Sequence, residues 1–391
     1  MKRSFLFILV IIILQLSCKE NTITPPDNKP PGWQEDIPWP SLADSPWPMF
    51  RCDPQNTNRS KFSGAMTGEI EWVYEGINSQ AGFSIYEDVI YQSSSLQNDP
   101  FLYAITKAGE LKWKVNIGVS YSTPTITNNG RIILVASQKL VSIDTTGQIL
   151  WEYILPACAG QRGINLDKTG NFYFTCENVL YCVSDAGILL WSIQNTSANV
   201  WGSQLVFSPD GNTIYIQGIG ITAINIVERT IKWIFSCRGV NDLLVDNQGN
   251  IYFHSRTDSL ALSLFSLKPD GNLRWSYLHN DENDFPGPVT IDYAGNLFFR
   301  GGSNIISLDY SGNFRWQKTI IPSEPIACNS QNELFITTAL NGITITKLDN
   351  SGNLIWEVST NDNSSTAGVP IICEGRMYIP SWDSNKIFSI K

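Results

Sequence analysis

The sequence predicts an all-β protein built from eight copies of one structural unit, and three observations carry this. Tryptophan recurs at 72, 113, 151, 191, 233, 275, 316 and 356, a spacing of about 41 residues sustained eight times. Each copy repeats the same succession of short apolar strands and glycine turns. Charged residues make up 16% of the chain and aromatic residues 12%, against about 25% charge in a typical soluble domain. Helical surfaces are normally tiled with Lys and Glu, so this deficit favours strands.

From the N-terminus, Lys2 and Arg3 precede an apolar run from Phe5 to Leu16 broken only by Gln15. Twelve helical residues rise about 18 Å, short of a membrane core of about 30 Å. A basic start and a short apolar core together read as a secretory signal. Leu14-Gln15-Leu16-Ser17-Cys18 follows. It resembles the bacterial lipobox, in which a cysteine after a small residue is lipidated, and this implies Cys18 as the attachment site. Prolines at 25, 26, 30, 31, 38, 40, 46 and 48 forbid a helix or a central strand, so a semi-extended spacer is expected. The predicted organisation is a signal peptide over 1–17, a lipidated cysteine with a proline-rich linker over 18–48, and a repeat domain over 49–391.

The repeat signature is GEIEW at 68–72, GELKW at 109–113, GQILW at 147–151 and GILLW at 187–191. It continues as RTIKW at 229–233, GNLRW at 271–275, GNFRW at 312–316 and GNLIW at 352–356. Within a repeat, a short apolar strand leads through a turn into an aromatic-rich strand, as in 164–174 and 289–299. A third strand, such as 305–309, then precedes a glycine turn and the tryptophan strand. Asp144 to Gly147, Asp309 to Gly312 and Asp349 to Gly352 place glycine where a bulged hairpin needs positive φ. Four antiparallel strands per repeat of about 40 residues describe one blade of a β-propeller. Eight such blades fill roughly 63–391.

The first tryptophan strand, at 68–76, has no preceding three strands, and 369–391 supplies three strands without a fourth. The N-terminal strand is therefore expected to complete the last blade and close the ring. Tryptophans 72, 113, 151, 191, 233, 275, 316 and 356 are expected between blades. A fully buried indole removes about 150–250 Å² from water, worth about 4–6 kcal/mol as an upper bound.

The pattern Ser142-x-Asp144-x-x-Gly147-x-x-x-Trp151, with its copies ending at Trp113 and Trp316, resembles the tryptophan-docking repeat of pyrroloquinoline-quinone (PQQ)-like propellers. The lead-in from Trp47 to Asp53 and from Thr57 to Ser60 is similar to the entry segment of that superfamily. The copy at 223–233 departs from the pattern, with Asn225 and Arg229 replacing Asp and Gly. One branch of the superfamily is enzymatic and holds PQQ with calcium over the pore. Another is non-enzymatic and includes the lipoprotein subunits of outer-membrane barrel-assembly machineries, which the anchor, blade count and length resemble. Dehydrogenases of the first branch typically carry adjacent cysteines near the cofactor; this chain has no such pair and no haem-attachment motif. The resemblance thus implies a non-catalytic, cofactor-free scaffold, lipid-anchored at the outer membrane, that binds envelope proteins as a monomeric ring. A PQQ-dependent alcohol or sugar dehydrogenase and a surface glycan-binding lipoprotein are the competing readings.

Other chemical signals are sparse. Net charge is −9 with no basic cluster past Arg3, which excludes nucleic acid as a natural partner. Two histidines, His254 and His279, leave little for zinc or imidazole catalysis. Gly218-x-Gly220-x-x-Ala223 matches a dinucleotide fingerprint in letters alone, since it falls in a hairpin rather than before a helix. The acidic stretch 280–284 lacks the residues that would complete a calcium loop. Cys176 and Cys182 flank a hairpin whose two-residue turn sets Cys176 against Val179 and Cys182 against Tyr173, so they are not expected to pair. Around the pore, the loops leaving the tryptophan strands present Ser122, Arg162, Trp201, Asn241, Phe285, Ser323 and Ala367. Arg162, Trp201, Asn241 and Phe285 form the candidate partner face, because mixed aromatic and Arg residues suit protein contacts.

Overall fold

In a computed structural model, residues 29–77, 79–155, 164–176, 178–194, 205–218, 220–256, 262–279, 287–323, 325–339, 342–362 and 364–391 are described, with backbone alone over 238–242. The described residues form eight four-stranded antiparallel sheets, one per blade, and no helix. Blades 1 to 7 occupy 83–116, 125–154, 165–193, 205–236, 238–278, 290–319 and 327–359. Blade 8 takes three strands from 371–390, and Ile70–Glu75 becomes its outer strand by pairing with Lys386–Ile390. The expected eight-bladed propeller and its closure by the N-terminal strand are both observed.

Local chemistry explains the blade. The inner three strands are almost wholly buried, whereas the outer tryptophan strand alternates, as in Ile149–Ile154 and Leu354–Ser359. A strand with one face on the core and one in water gives this period of two. At the third-to-fourth hairpin the register slips by one residue at the same place in every blade, for example between Ser142 and Ile143 and between Ser307 and Leu308. Gly147 (φ 91°) and Gly312 (φ 86°) hold the positive φ that makes this bulge. Asp309 fixes the same turn, its Oδ1 accepting the amides of Ser311 and Asn313.

One sequence expectation fails. The proline-rich stretch does not stand off the ring as a spacer up to residue 48. From Trp33 onward it lies against the propeller, and Gln34, Trp39 and Trp47 are buried. Residues 33–63 cross the mouth formed by the first-to-second strand turns and touch the inner strand of every blade. The amides of Ile85, Ile126, Phe207, Val245 and Cys328 donate to the carbonyls of Trp47, Pro48, Pro54, Gln55 and Asn58. Asn165 Nδ2 donates to Pro54 O, Arg51 Nη2 to Val289 O and Ser60 Oγ to Ile372 O. Proline excludes regular ladder pairing, and in fact only isolated bridges form here. It keeps its carbonyl as an acceptor, however, and that is enough to pin an irregular strap.

Candidate functional site

The contacts between blades set the ring's geometry. The indole Nε1 of Trp72, Trp113, Trp151, Trp233 and Trp316 donates to the carbonyl of Lys107, Thr145, Asp185, Pro269 and Asn350, each in the following blade, at 2.9–3.1 Å. The turn glycine of that next blade lies flat on the ring. A Cβ built on Gly109, Gly147, Gly187, Gly271 or Gly312 would come within about 3.1 Å of Trp72, Trp113, Trp151, Trp233 or Trp275. Trp316 meets Gly352 in the same way, and Trp356 meets Gly68 beside the closing strand. Trp191 is the exception: Arg229 replaces glycine, adopts φ 59° and sets its guanidinium 5.7 Å from the indole centroid. All eight indoles are half-buried rather than fully buried, so the full-burial free energy overstates each contact.

The loop face of the pore is only partly described. Arg162, Trp201 and Phe285 lie outside the described residues, as do Cys18 and the acidic stretch 280–284. Asn241 sits in Arg238–Val245, its backbone opposite His254, and its side chain is outside the description. Ser122 and Ala367 are buried beside the channel, Ser323 is exposed, and Tyr121 projects from the same face at 43% exposure. The four candidate partner side chains thus all lie outside the described residues.

On the opposite, turn-side face, the strap and the inner strands enclose a cleft of about 550 Å³. Ile37, Pro38, Trp39, Leu42, Pro46 and Pro48 give it apolar walls, and Asp53, Thr57, Arg59 and Asn247 give it polar ones. Asp53 Oδ1 accepts the amides of Gln55 and Thr57, and the Thr57 hydroxyl donates to Oδ2. Burial pushes the Asp53 carboxyl upward, opposed by Thr57 and by Arg59. Arg59 stacks over the Tyr293 ring at 4.3 Å. Composition and periodicity did not mark this cleft; the one signal was the Trp47–Ser60 lead-in, whose chemistry becomes visible only once it is folded.

The two histidines pack with Phe299 in an apolar pocket, His254 and His279 lying edge-on at 5.1 Å. Neither nitrogen of His254 has a partner. Burial, with His279 adding to it, holds its pKa well below the usual imidazole value. Among the described residues, no three His, Cys, Asp or Glu side chains gather as a metal site. Cys176 faces Val179 and Cys182 faces Tyr173 in the hairpin register, as expected. Cys176 is disulfide-bonded, while Cys52, Cys182, Cys237, Cys328 and Cys373 are free thiols.

Fold and site together define the class: a closed eight-bladed propeller whose turn-side mouth is strapped over by its own N-terminal segment. Among solved structures, the chain is similar to BamB from Moraxella catarrhalis, with a TM-score of 0.64, 12% identity, and coverage of 83% of this chain and 97% of that one. It is also similar to virginiamycin B lyase from Staphylococcus aureus, with a TM-score of 0.53, 13% identity, and coverage of 81% and 97%. A catalytically inactive form of that lyase, in which a histidine is replaced by alanine, with quinupristin, matches at a TM-score of 0.53 and 15% identity, covering 76% and 98%. The sequence matches no protein-family model and no curated protein.

Proposed function

We propose that this chain is an exported lipoprotein, anchored through Cys18, whose propeller is a non-catalytic scaffold for envelope proteins in outer-membrane protein assembly. The observation that carries this reading is the strap. It covers the turn-side mouth, and its first described residues, 29–33, lie on that side, so an anchor at Cys18 would tether the turn face. The loop face, with Tyr121 and the loops of Arg162, Trp201, Asn241 and Phe285, is left for a partner. The likeness to BamB supports the same role. The disulfide at Cys176 suits an oxidising compartment outside the cytosol.

A second reading, a lyase-like enzyme, is raised by the likeness to virginiamycin B lyase. It carries less weight, because the inactive variant of that lyase has lost a histidine, whereas both histidines of this chain are buried beneath Phe299. To test the scaffold, photo-crosslinking residues are placed at Tyr121 and at Ser351, which is exposed on the turn side, in intact cells. A discrete envelope-protein adduct from Tyr121 alone is expected; adducts from neither site, or equally from both, would overturn the assignment of faces. Cys18→Ala is expected to release the protein from membranes, and continued pelleting would refute the anchor.

A further inference from the structure

The turn-side cleft contains hydrogen-bonding groups that folding leaves unused. Arg59 is 5% exposed, and its Nε and Nη1 have no partner. Only Nη2 is engaged, reaching the Glu35 carbonyl at 3.4 Å and Asp36 Oδ1 at 3.9 Å. In the same wall, Oδ1 of Asn247 is buried without a donor. Leaving a buried polar group unpaired is costly, more so when it is charged, so a partner for these atoms is favoured.

The neighbouring charges are already matched. Lys61 pairs with Asp44, Tyr293 donates to Asp36 at 2.8 Å, and Asp53 is satisfied by Gln55 and Thr57. What remains is one cationic donor, one amide acceptor, and an apolar trough of Trp39, Ile37 and four prolines. Its volume falls within the range of about 300–1,000 Å³ typical of small-ligand sites.

We propose that this cleft binds the free C-terminus of a short apolar peptide, with the carboxylate on Arg59 and a backbone N–H on Asn247 Oδ1. Three features select this chemistry. The guanidinium takes an anionic acceptor. Three carboxylates, Asp36, Asp44 and Asp53, line the same space, and what repulsion their partners leave falls more heavily on a dianionic phosphate than on a monoanionic carboxylate. A peptide backbone also supplies an N–H donor beside its terminal acceptor, while prolines and an indole suit an apolar chain. The site lies on the opposite face from the scaffold contact proposed above, so either can fail without the other.

The test is calorimetric titration of the full chain in detergent with N-acetyl tripeptides ending in Phe, Leu or Pro. Each is compared with its C-terminal amide, with benzoate and with inorganic phosphate. Saturable binding of at least one free-acid peptide is expected, at least tenfold tighter than its amide and tighter than benzoate or phosphate. Arg59→Gln should weaken that binding at least tenfold with unchanged far-ultraviolet circular dichroism. Equal binding of acid and amide, preference for phosphate or benzoate, or no saturation up to millimolar concentration would overturn the proposal. If Arg59→Gln does not fold, the acid–amide comparison on the unaltered chain decides alone.

Discussion

Gly68→Ala puts the ring's closure to a quantitative test. Gly68 precedes the strand that the N-terminus lends to blade 8 and lies on Trp356 of blade 7. Its φ is +75°, and a Cβ there would stand 2.8 Å from Trp356 Cε3. Alanine in a left-handed conformation costs about 1–2 kcal/mol for the backbone alone. The close approach adds an overpacking penalty of about 1–3 kcal/mol, because the indole must retreat by the better part of an ångström to regain a normal contact. Gly375 supplies the control: its φ is +79°, yet nothing lies within 4 Å of its Cβ position. Guanidinium unfolding should thus show a loss of about 2–5 kcal/mol for Gly68→Ala and about 1–2 kcal/mol for Gly375→Ala. Equal losses would refute the claim that the Trp356–Gly68 contact is a tight fastener of the ring.

Trp72→Phe removes a hydrogen bond to Lys107 O as well as ring area, whereas Trp275→Phe removes area alone, since Trp275 Nε1 has no partner; denaturant melts should show Trp72→Phe losing about 1 kcal/mol more, and the reverse order would contradict it. Buried His254 stays neutral in the folded chain, so below the unfolded imidazole value of about 6.5 the unfolded state binds the proton first and stability falls as pH drops. The acid side is shallower than His254 alone dictates, because burial pushes the Asp292 carboxyl up to about 6. That group takes up its proton in the folded state first, adding stability that is full below about 3.8 and lost as pH rises through about 6. His254→Phe should flatten the decline in melting temperature between pH 7 and pH 5; an unchanged slope would show that His254 takes up its proton alike in the folded and unfolded states, against its burial as a neutral ring.

The blades were legible in the sequence because their determinants are local. A bulged hairpin needs Asp and Gly at fixed offsets, as at Asp309 and Gly312, and an outer strand shows alternation within six residues, as in Leu354–Ser359. Ring closure was legible too, since one end of the repeat array lacked three strands and the other lacked one. The strap from Trp33 to Ser63 was not legible. It has no period, and its partners lie far along the chain, Arg51 meeting Val289 and Ser60 meeting Ile372. Read alone, its prolines specify only that no helix or ladder forms there, which is true both of a free spacer and of a pinned strap.

The sequence by itself therefore determined the strand grammar, the number of blades and the manner of closure, because short-range turn chemistry and alternation leave few ways to bury these apolar faces. Only the tertiary structure decided that the turn-side mouth is covered, that Arg59 and Asn247 share a cleft wall with unused hydrogen-bonding atoms, and that His254 and His279 are buried together. Each of these depends on which distant backbone carbonyls and rings meet once eight inner strands converge on one axis, and no local pattern records that convergence.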